Sequence, residues 1–361
     1  MIGFYCATPF HVIVAVNMML NEYKDEPADI YVLNYFPQAI EVVEMLKQTG
    51  LFQKVVFINL NNYNIWEKSK RLFHSFIPDK DIRDICNKFS YDNFFFLALD
   101  FLNIAFIVKA ALRKKSNCSF GYAEDGIGSY IKDIYVPSKT VSRLLRITGR
   151  IKYLKYVDKL YVFAPEFVVA NRNFKVIGIQ KFDGQSVQLK RICSILWPDM
   201  PKLKAVNKIL YFQQPLGERT GSDTSMAERQ LINHVVSEYG VESITVKIHP
   251  RVSDCDICSQ DIVLESRTPF EIFALEYNTS KNVLISALST ACFTPFLLLG
   301  QYPSLIFTYK ILGDGVLSLT GDIEKFMNMF ESLYRDKGKL FIPETIEEFN
   351  TCLKECIDTQ N

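Results

Sequence analysis

Val246-Lys247-Ile248-His249-Pro250-Arg251 joins an apolar run to a cationic turn. The β-branched run Ser243-Ile244-Thr245-Val246 leads into it, and a proline closes it. Proline cannot donate to a sheet ladder and drives its predecessor towards extended geometry, so His249 is predicted to end a strand where a loop begins. In open α/β sheets that carboxyl edge is where ligands bind. Lys247, His249 and Arg251 place three cation-capable side chains within five residues. Such a set suits an anion, phosphate first. The plainer alternative is a strand-end histidine among solvated basic neighbours.

The flanking sequence extends the α/β reading. Lys208 to Phe212 is predicted as a strand, with the polar, glycine-bearing exit loop Gln213-Gln214-Pro215-Leu216-Gly217-Glu218-Arg219-Thr220-Gly221. Met226 to Tyr239 follows as a helix that Gly240 ends. Beyond the histidine, Thr268-Pro269-Phe270-Glu271 resembles a helix start with a Thr cap, and Glu271 there suits the helix dipole. Asn282 to Ser286 is a strand, and Ala287-Leu288-Ser289-Thr290-Ala291 turns it into an apolar helix. Ser289 and Thr290 are either capping residues or part of an anion cradle, since free amides and the dipole both face the ligand there. Ser304 to Phe307 is another strand, and Ile346 to Cys356 a last helix.

The amino-terminal half repeats the pattern. Ile2 to Cys6 is strand-like, Val12 to Leu20 has helical spacing, and Thr8-Pro9 between them reads as N-cap and first helical position. Ile30 to Tyr35, Ala39 to Lys47 with Gly50 behind it, and Lys54 to Leu60 continue as strand, helix, strand. These are βαβ units, and they imply parallel sheets. Ser119 to Tyr130 holds a short strand ending in Glu124-Asp125, with Gly126 and Gly128 after it. Side chains alternate along an extended segment, so one acid is expected to face a ligand cleft while the other holds backbone amides; a simple acidic turn is the alternative. From Pro165 to Leu203 periodicity fades and prolines and glycines collect, which places the interdomain connection there.

Bulk composition excludes some classes. The 361 residues suffice for two domains with their own cores. Lys+Arg number 41 against Asp+Glu 40, so no global field marks a nucleic-acid binder. Nine cysteines and no signal peptide point to reduced thiols in a cytoplasmic protein. Cys255 and Cys258 form the only CxxC, and two loop cysteines are the better reading of it than a zinc site with His249. Two apolar runs approach the length of a membrane span. Met1 to Leu20 reads as a buried strand entering a helix, and Phe94 to Leu112 as a buried or interfacial helix. The exit of the second, Arg113-Lys114-Lys115, is a candidate contact for anionic lipid headgroups. There is no GxGxxG in a dinucleotide setting, no P-loop, and no Asp-x-Asp at a strand end.

Four features stand in order: Glu124-Asp125-Gly126, Lys247-Ile248-His249-Pro250, Phe270-Glu271 and Ser289-Thr290. The succession resembles bacterial sialyltransferases of the two-Rossmann glycosyltransferase type, GT-B. With Cys6-Ala7-Thr8-Pro9-Phe10-His11 at the amino terminus, it most resembles glycosyltransferase family 52, the lipooligosaccharide and capsule sialyltransferases. The resemblance implies an α/β fold of two Rossmann-like domains facing each other across a cleft. Residues 1–165 would form the acceptor side, 166–205 the linker, 206–340 the donor side, and 341–361 a helix packing back near the linker.

It also implies roles. Asp125 or Glu124 is the general base, with Glu218 ranked below both because some related families place the base near it. His249 assists the departing cytidine monophosphate (CMP). Lys247, Pro250, Ser289, Thr290, Gly217 and Glu218 contact the donor, and Glu271 binds ribose hydroxyls. Thr8, Pro9, His11 and Gly126 line the acceptor side. No metal or cofactor is expected, because the donor, CMP-sialic acid, carries a single phosphate. The expected acceptor is a galactose-terminated surface glycan. A homodimer and peripheral contact with the inner face of the cell membrane through Arg113, Lys114 and Lys115 complete the expectation. Rival readings are a hexosyltransferase or polysialyltransferase on the same scaffold, or a non-catalytic sugar-nucleotide binder.

Overall fold

In a computed structural model the described residues are 1–60, 77–114, 117–131, 134–169, 174–198, 208–214, 224–249, 260–264, 268–312, 321–335 and 339–358. The chain divides into two units. Unit 1 is Met1–Gln180 with Gln185–Pro198, and unit 2 is Lys181–Gly184 with Asp199–Asn361.

Unit 1 is organised on strand β1, Ile2–Cys6, which is buried along its whole length, as a strand covered on both faces must be. It pairs in parallel with β2 (Ala28–Leu33) on one side and β4 (Asn93–Phe96) on the other. With β3 (Lys54–Ile58), β5 (Ser119–Ala123), β6 (Val157–Val162) and β7 (Lys175–Gly178) the sheet order is β3-β2-β1-β4-β5-β6-β7. The order reverses between β1 and β4, and in doubly wound sheets ligands bind at the carboxyl ends of strands at that point. Helix α1 (Pro9–Asn21) follows β1 as predicted: Thr8 is the N-cap, its Oγ1 accepting the His11 N–H, and Pro9 takes the first turn. Helices α2 (Ala39–Thr49), α3 (Lys80–Lys88), α4 (Phe101–Arg113), α5 (Gly128–Ile131), α6 (Lys139–Ile147) and α7 (Val187–Leu196) complete the described helices of this unit.

The run from Phe94 to Leu112 is not one helix. Its first residues are the buried strand β4, and the helix begins only at Phe101, where Asp100 caps the Asn103 N–H. Consecutive bulky aromatics pack well on a pleated sheet, and an N-capping acid restarts the chain as a helix. Among the described residues no helix is long and apolar enough to cross a membrane. The stretch 166–205, expected as a connection, carries β7 on the edge of the first sheet and α7, which packs against α1 and α2.

Unit 2 is built on β8 (Ile209–Phe212), β9 (Ile244–Lys247), β10 (Val283–Ser286), β11 (Ser304–Phe307) and β12 (Leu340–Phe341), in the order β12-β11-β10-β8-β9. Counted within the unit this is the flavodoxin-like order, with its switch point between β8 and β10. Helix α8 (Thr224–Tyr239) contributes Leu231, Ile232 and Val235 to the core under β8 and β9. The described helices α9 (Phe270–Glu276), α10 (Thr290–Leu299) and α11 (Gly321–Tyr334) follow. The last helix, α12 (Ile346–Asp358), puts Phe349, Leu353 and Cys356 into the same core as Ile209 and Ile285. The expected Thr cap on α9 is not formed: the N-cap is Pro269, which has no side-chain oxygen, and the helix begins one residue after it.

Candidate functional site

In unit 1 the candidate residues converge at the carboxyl edge near the switch point. The first turn of α1 buries His11, with its side chain 3% exposed, and the turn after β5 holds Asp125, with its side chain 36% exposed. His11 Nε2 lies 2.6 Å from Asp125 Oδ1, while Nδ1 accepts the Ala7 N–H at 3.1 Å. A ring nitrogen that accepts carries no proton, so the hydrogen sits on Nε2 and is donated to the carboxylate. The Asp125 N–H donates to Ser129 Oγ at 2.8 Å, and Tyr135 donates to the same oxygen. Gly126, at φ 76°, lets the chain turn sharply between these contacts.

Glu124 points the other way. It is 1% exposed, and its Oε2 accepts the Tyr130 hydroxyl at 2.5 Å and the Phe163 N–H at 2.8 Å. Burial, with the Glu124 charge beside it, pushes the Tyr130 hydroxyl well above its ordinary range, so Tyr130 remains a donor. The two adjacent acids therefore occupy different environments. Asp125 reaches solvent with a donor behind it, and Glu124 joins β5 to the end of β6. Thr8 and Pro9 are half-buried on the rim above His11.

In unit 2 the register brings Phe212, Lys247, Ser286 and Phe307 to one level at the ends of four strands. Lys247 Nζ donates to the Thr268 carbonyl at 3.1 Å. Burial lowers its pKa, and the nearby Glu271 pulls it back up. Burial raises Glu271, with Lys247 opposing. These two residues thus share one electrostatic neighbourhood. The His249 N–H donates to Gln213 Oε1 at 3.2 Å, and the Gln213 N–H returns to the Lys247 carbonyl. Ser289 caps α10 by accepting the Ala291 N–H, and its own N–H donates to Ser286 Oγ. Thr290 is the first residue of that helix. Pro250, Gly217, Glu218, Arg251, Cys255 and Cys258 lie outside the described residues, as does Lys115.

Three residues that the sequence does not single out hold this edge together. Gln213 ties the end of β8 to the loop after β9, as above. Gln214 spans the switch point: its Oε1 accepts the Leu288 N–H at 2.7 Å and its Nε2 donates to the Leu288 carbonyl at 3.0 Å. Glu228, on α8 and 1% exposed, accepts the Tyr211 hydroxyl and the Gln214 backbone N–H, and burial pushes its carboxyl up to about 7. Two consecutive amide side chains at a strand exit were the available signal. Glu228 gave none, since an acid on an amphipathic helix normally faces water.

Two open parallel sheets with these strand orders, each presenting polar side chains at its carboxyl edge, define an α/β protein of the GT-B type with two Rossmann-like domains. The glycotransferase of kitacinnamycin matches over 99% of this chain and 92% of its own, at 9% identity and TM-score 0.54. UDP-GlcNAc 2-epimerase of Methanocaldococcus jannaschii, solved with UDP-GlcNAc and UDP, matches over 100% and 94%, at 10% identity and TM-score 0.54. At such identities the likeness is one of fold. The family model for alpha-2,8-polysialyltransferase (POLYST) matches residues 4–300, so the chain belongs to that family of glycosyltransferases. No curated protein matches the sequence.

Proposed function

We propose that the chain is an inverting sialyltransferase that moves sialic acid from CMP-sialic acid to a hydroxyl of a surface glycan, without a metal. The observation that carries this reading is the Asp125 carboxylate, solvent-reaching and held 2.6 Å from His11 Nε2 at the carboxyl edge of unit 1. In that role Asp125 takes the proton of the acceptor hydroxyl. The hydroxyl oxygen bonds to the anomeric carbon, and the bond from that carbon to the phosphate oxygen breaks with its electron pair leaving on CMP. Glu124 is unsuited to the proton, because its Oε2 is taken up by the buried Tyr130 hydroxyl and Phe163 N–H.

Unit 2 holds the donor in this reading. Lys247 and His249 face the developing charge on the phosphate, assisted by the amides at the start of α10 beside Ser289 and Thr290. Glu271 takes ribose hydroxyls, and Gly217, Glu218 and Pro250 are assigned to the donor side on the resemblance alone. Thr8, Pro9 and Gly126 line the acceptor side with His11. A single phosphate is neutralised by such groups, which removes the need for a divalent ion.

The acceptor ends in galactose on a lipooligosaccharide or capsule, the substrate class of the family 52 enzymes that the Cys6–His11 segment resembles. Family membership across residues 4–300 is equally compatible with a second acceptor, a glycan that already ends in sialic acid and is extended by α-2,8 linkage. Incubation with CMP-sialic acid and EDTA, with lactose-terminated and oligosialic acceptors in parallel, tests both. CMP release and a lengthened lactoside support the first; lengthening of the sialylated acceptor alone supports the second. No turnover of CMP-sialic acid, with turnover of a nucleotide diphosphate sugar, would overturn the donor assignment.

A further inference from the structure

One part of unit 1 collects basic residues that the reaction leaves unused. Between Ile134 and Val157 the sequence contains no Asp or Glu, yet it carries Lys139, Arg143, Arg146, Arg150, Lys152 and Lys155. All but Arg150 lie on α6 and the 3-10 turn Ile151–Tyr156, which pack against each other and against α4; Arg150, between the two, is buried with its guanidinium 3.9 Å from the centre of the Phe106 ring. Helix α4 adds Lys109 and Arg113 to the same part. Burial lowers the pKa of Lys109, and the neighbouring cations Arg113, Arg150 and Lys152 lower it further. A cavity of about 330 Å³ opens there, lined by Lys109, Arg113, Lys152, Lys155, Tyr153 and Tyr156.

Like charges brought this close repel, and among the described residues no acid forms an ion pair with Arg143, Arg146, Lys152 or Lys155. Beside the cations stand large apolar side chains that the fold leaves in water: Ile147 is 62% exposed, Val136 56% and Tyr156 43%. A soluble polyanion accounts for the cations alone. A bilayer interface accounts for both, since anionic headgroups take the charges while aliphatic and tyrosine side chains enter the headgroup boundary. The Arg113-Lys114-Lys115 run contributes only in part, because Lys114 Nζ is turned to the Asn87 carbonyl.

We propose that this part of unit 1, centred on the cavity between α4 and Ile151–Tyr156 and extending to the exposed Ile147 at the end of α6, docks on anionic phospholipid bilayers. The test is flotation of the full chain with phosphatidylglycerol–phosphatidylcholine vesicles, against phosphatidylcholine alone and against soluble heparin. Each basic residue near an anionic surface contributes about 1 kcal/mol, so Lys152→Ser with Lys155→Ser should lower partition about 30-fold at about 1.4 kcal/mol per decade. Arg143→Ser with Arg146→Ser should act similarly. Ile147→Ser should lower vesicle partition roughly tenfold, within the value of burying such a side chain, and leave heparin binding unchanged. All variants should keep wild-type thermal unfolding and CMP release. Equal binding to neutral vesicles, vesicle binding indifferent to these substitutions, or heparin binding without vesicle binding would overturn the proposal. The last result would mark this part as one for an anionic glycan.

Discussion

His11 Nε2 stands 2.6 Å from Asp125 Oδ1 although 114 residues separate the two in the chain, and the ring is held from behind by the Ala7 N–H. The backbone amide fixes the tautomer, and the tautomer aims an N–H at the carboxylate. One acid of an adjacent pair is thereby oriented, and its neighbour is consumed by the fold.

The two acids should separate in their measured effects. Asp125→Asn is expected to lower turnover by about 10²–10⁴-fold, the usual worth of a general base, with little change in stability. Glu124→Ala leaves the buried Tyr130 hydroxyl and Phe163 N–H without this acceptor and should cost about 2–4 kcal/mol. Urea unfolding beside steady-state kinetics reads both; a catalytically silent Asp125→Asn would remove it as the base.

In the proposed reaction His11 acts through Asp125. His11→Gln should lower kcat by up to about 100-fold, the scale of an ångström-sized misplacement of a reacting group, while KM for the donor stays near wild type. A change confined to donor KM would place His11 in binding instead.

The Gln214 clamp predicts a defect in unit 2. Gln214→Ala removes an acceptor and a donor from the Leu288 backbone at the switch point, which should cost about 1–3 kcal/mol. Because Leu288 precedes the Ser289 cap, nucleotide affinity should fall as well. Calorimetric titration with CMP measures it, and unchanged affinity would separate the clamp from the donor site.

Glu228 gives the pH dependence. Its carboxyl is raised by burial from an ordinary 4.5 to about 7 in the fold, so the folded state binds the proton more tightly than the unfolded chain. Its contribution to stability is most favourable below about pH 4.5 and is lost as pH rises through about 7. Glu228→Gln, which keeps an acceptor, should therefore match wild type near pH 4.5 and exceed it by up to about 3 kcal/mol near pH 8. Chemical unfolding across that range checks the sign; a wild type equally stable at both ends relative to the variant would contradict it.

At the centre of the first sheet, a Cβ on Gly3 would stand 2.4 Å from the Phe94 ring. Gly3→Ala should cost about 1–3 kcal/mol by overpacking, read as a lowered denaturation midpoint.

Strand and helix alternation, the two parallel sheets, the Thr8 cap and the strand end before His249 were legible along the chain, because each depends on side-chain period and local backbone chemistry. The Phe94–Leu112 run was not, since a buried strand and a buried helix are equally apolar over a short window. Nor were β7 and α7, whose weak patterns are completed by packing on the first sheet and on α1 and α2. Glu124 and Asp125 could be named as a pair and not told apart. Their division of labour follows from Tyr130 and Phe163 closing on one carboxylate and His11 on the other, contacts that span up to 114 residues. Gln214 and Glu228 owe their roles to the same cause: a hydrogen bond between distant strand exits is set by which strands become neighbours. Local sequence fixes the period of each element and its caps, and the order in which the strands associate fixes which side chains meet.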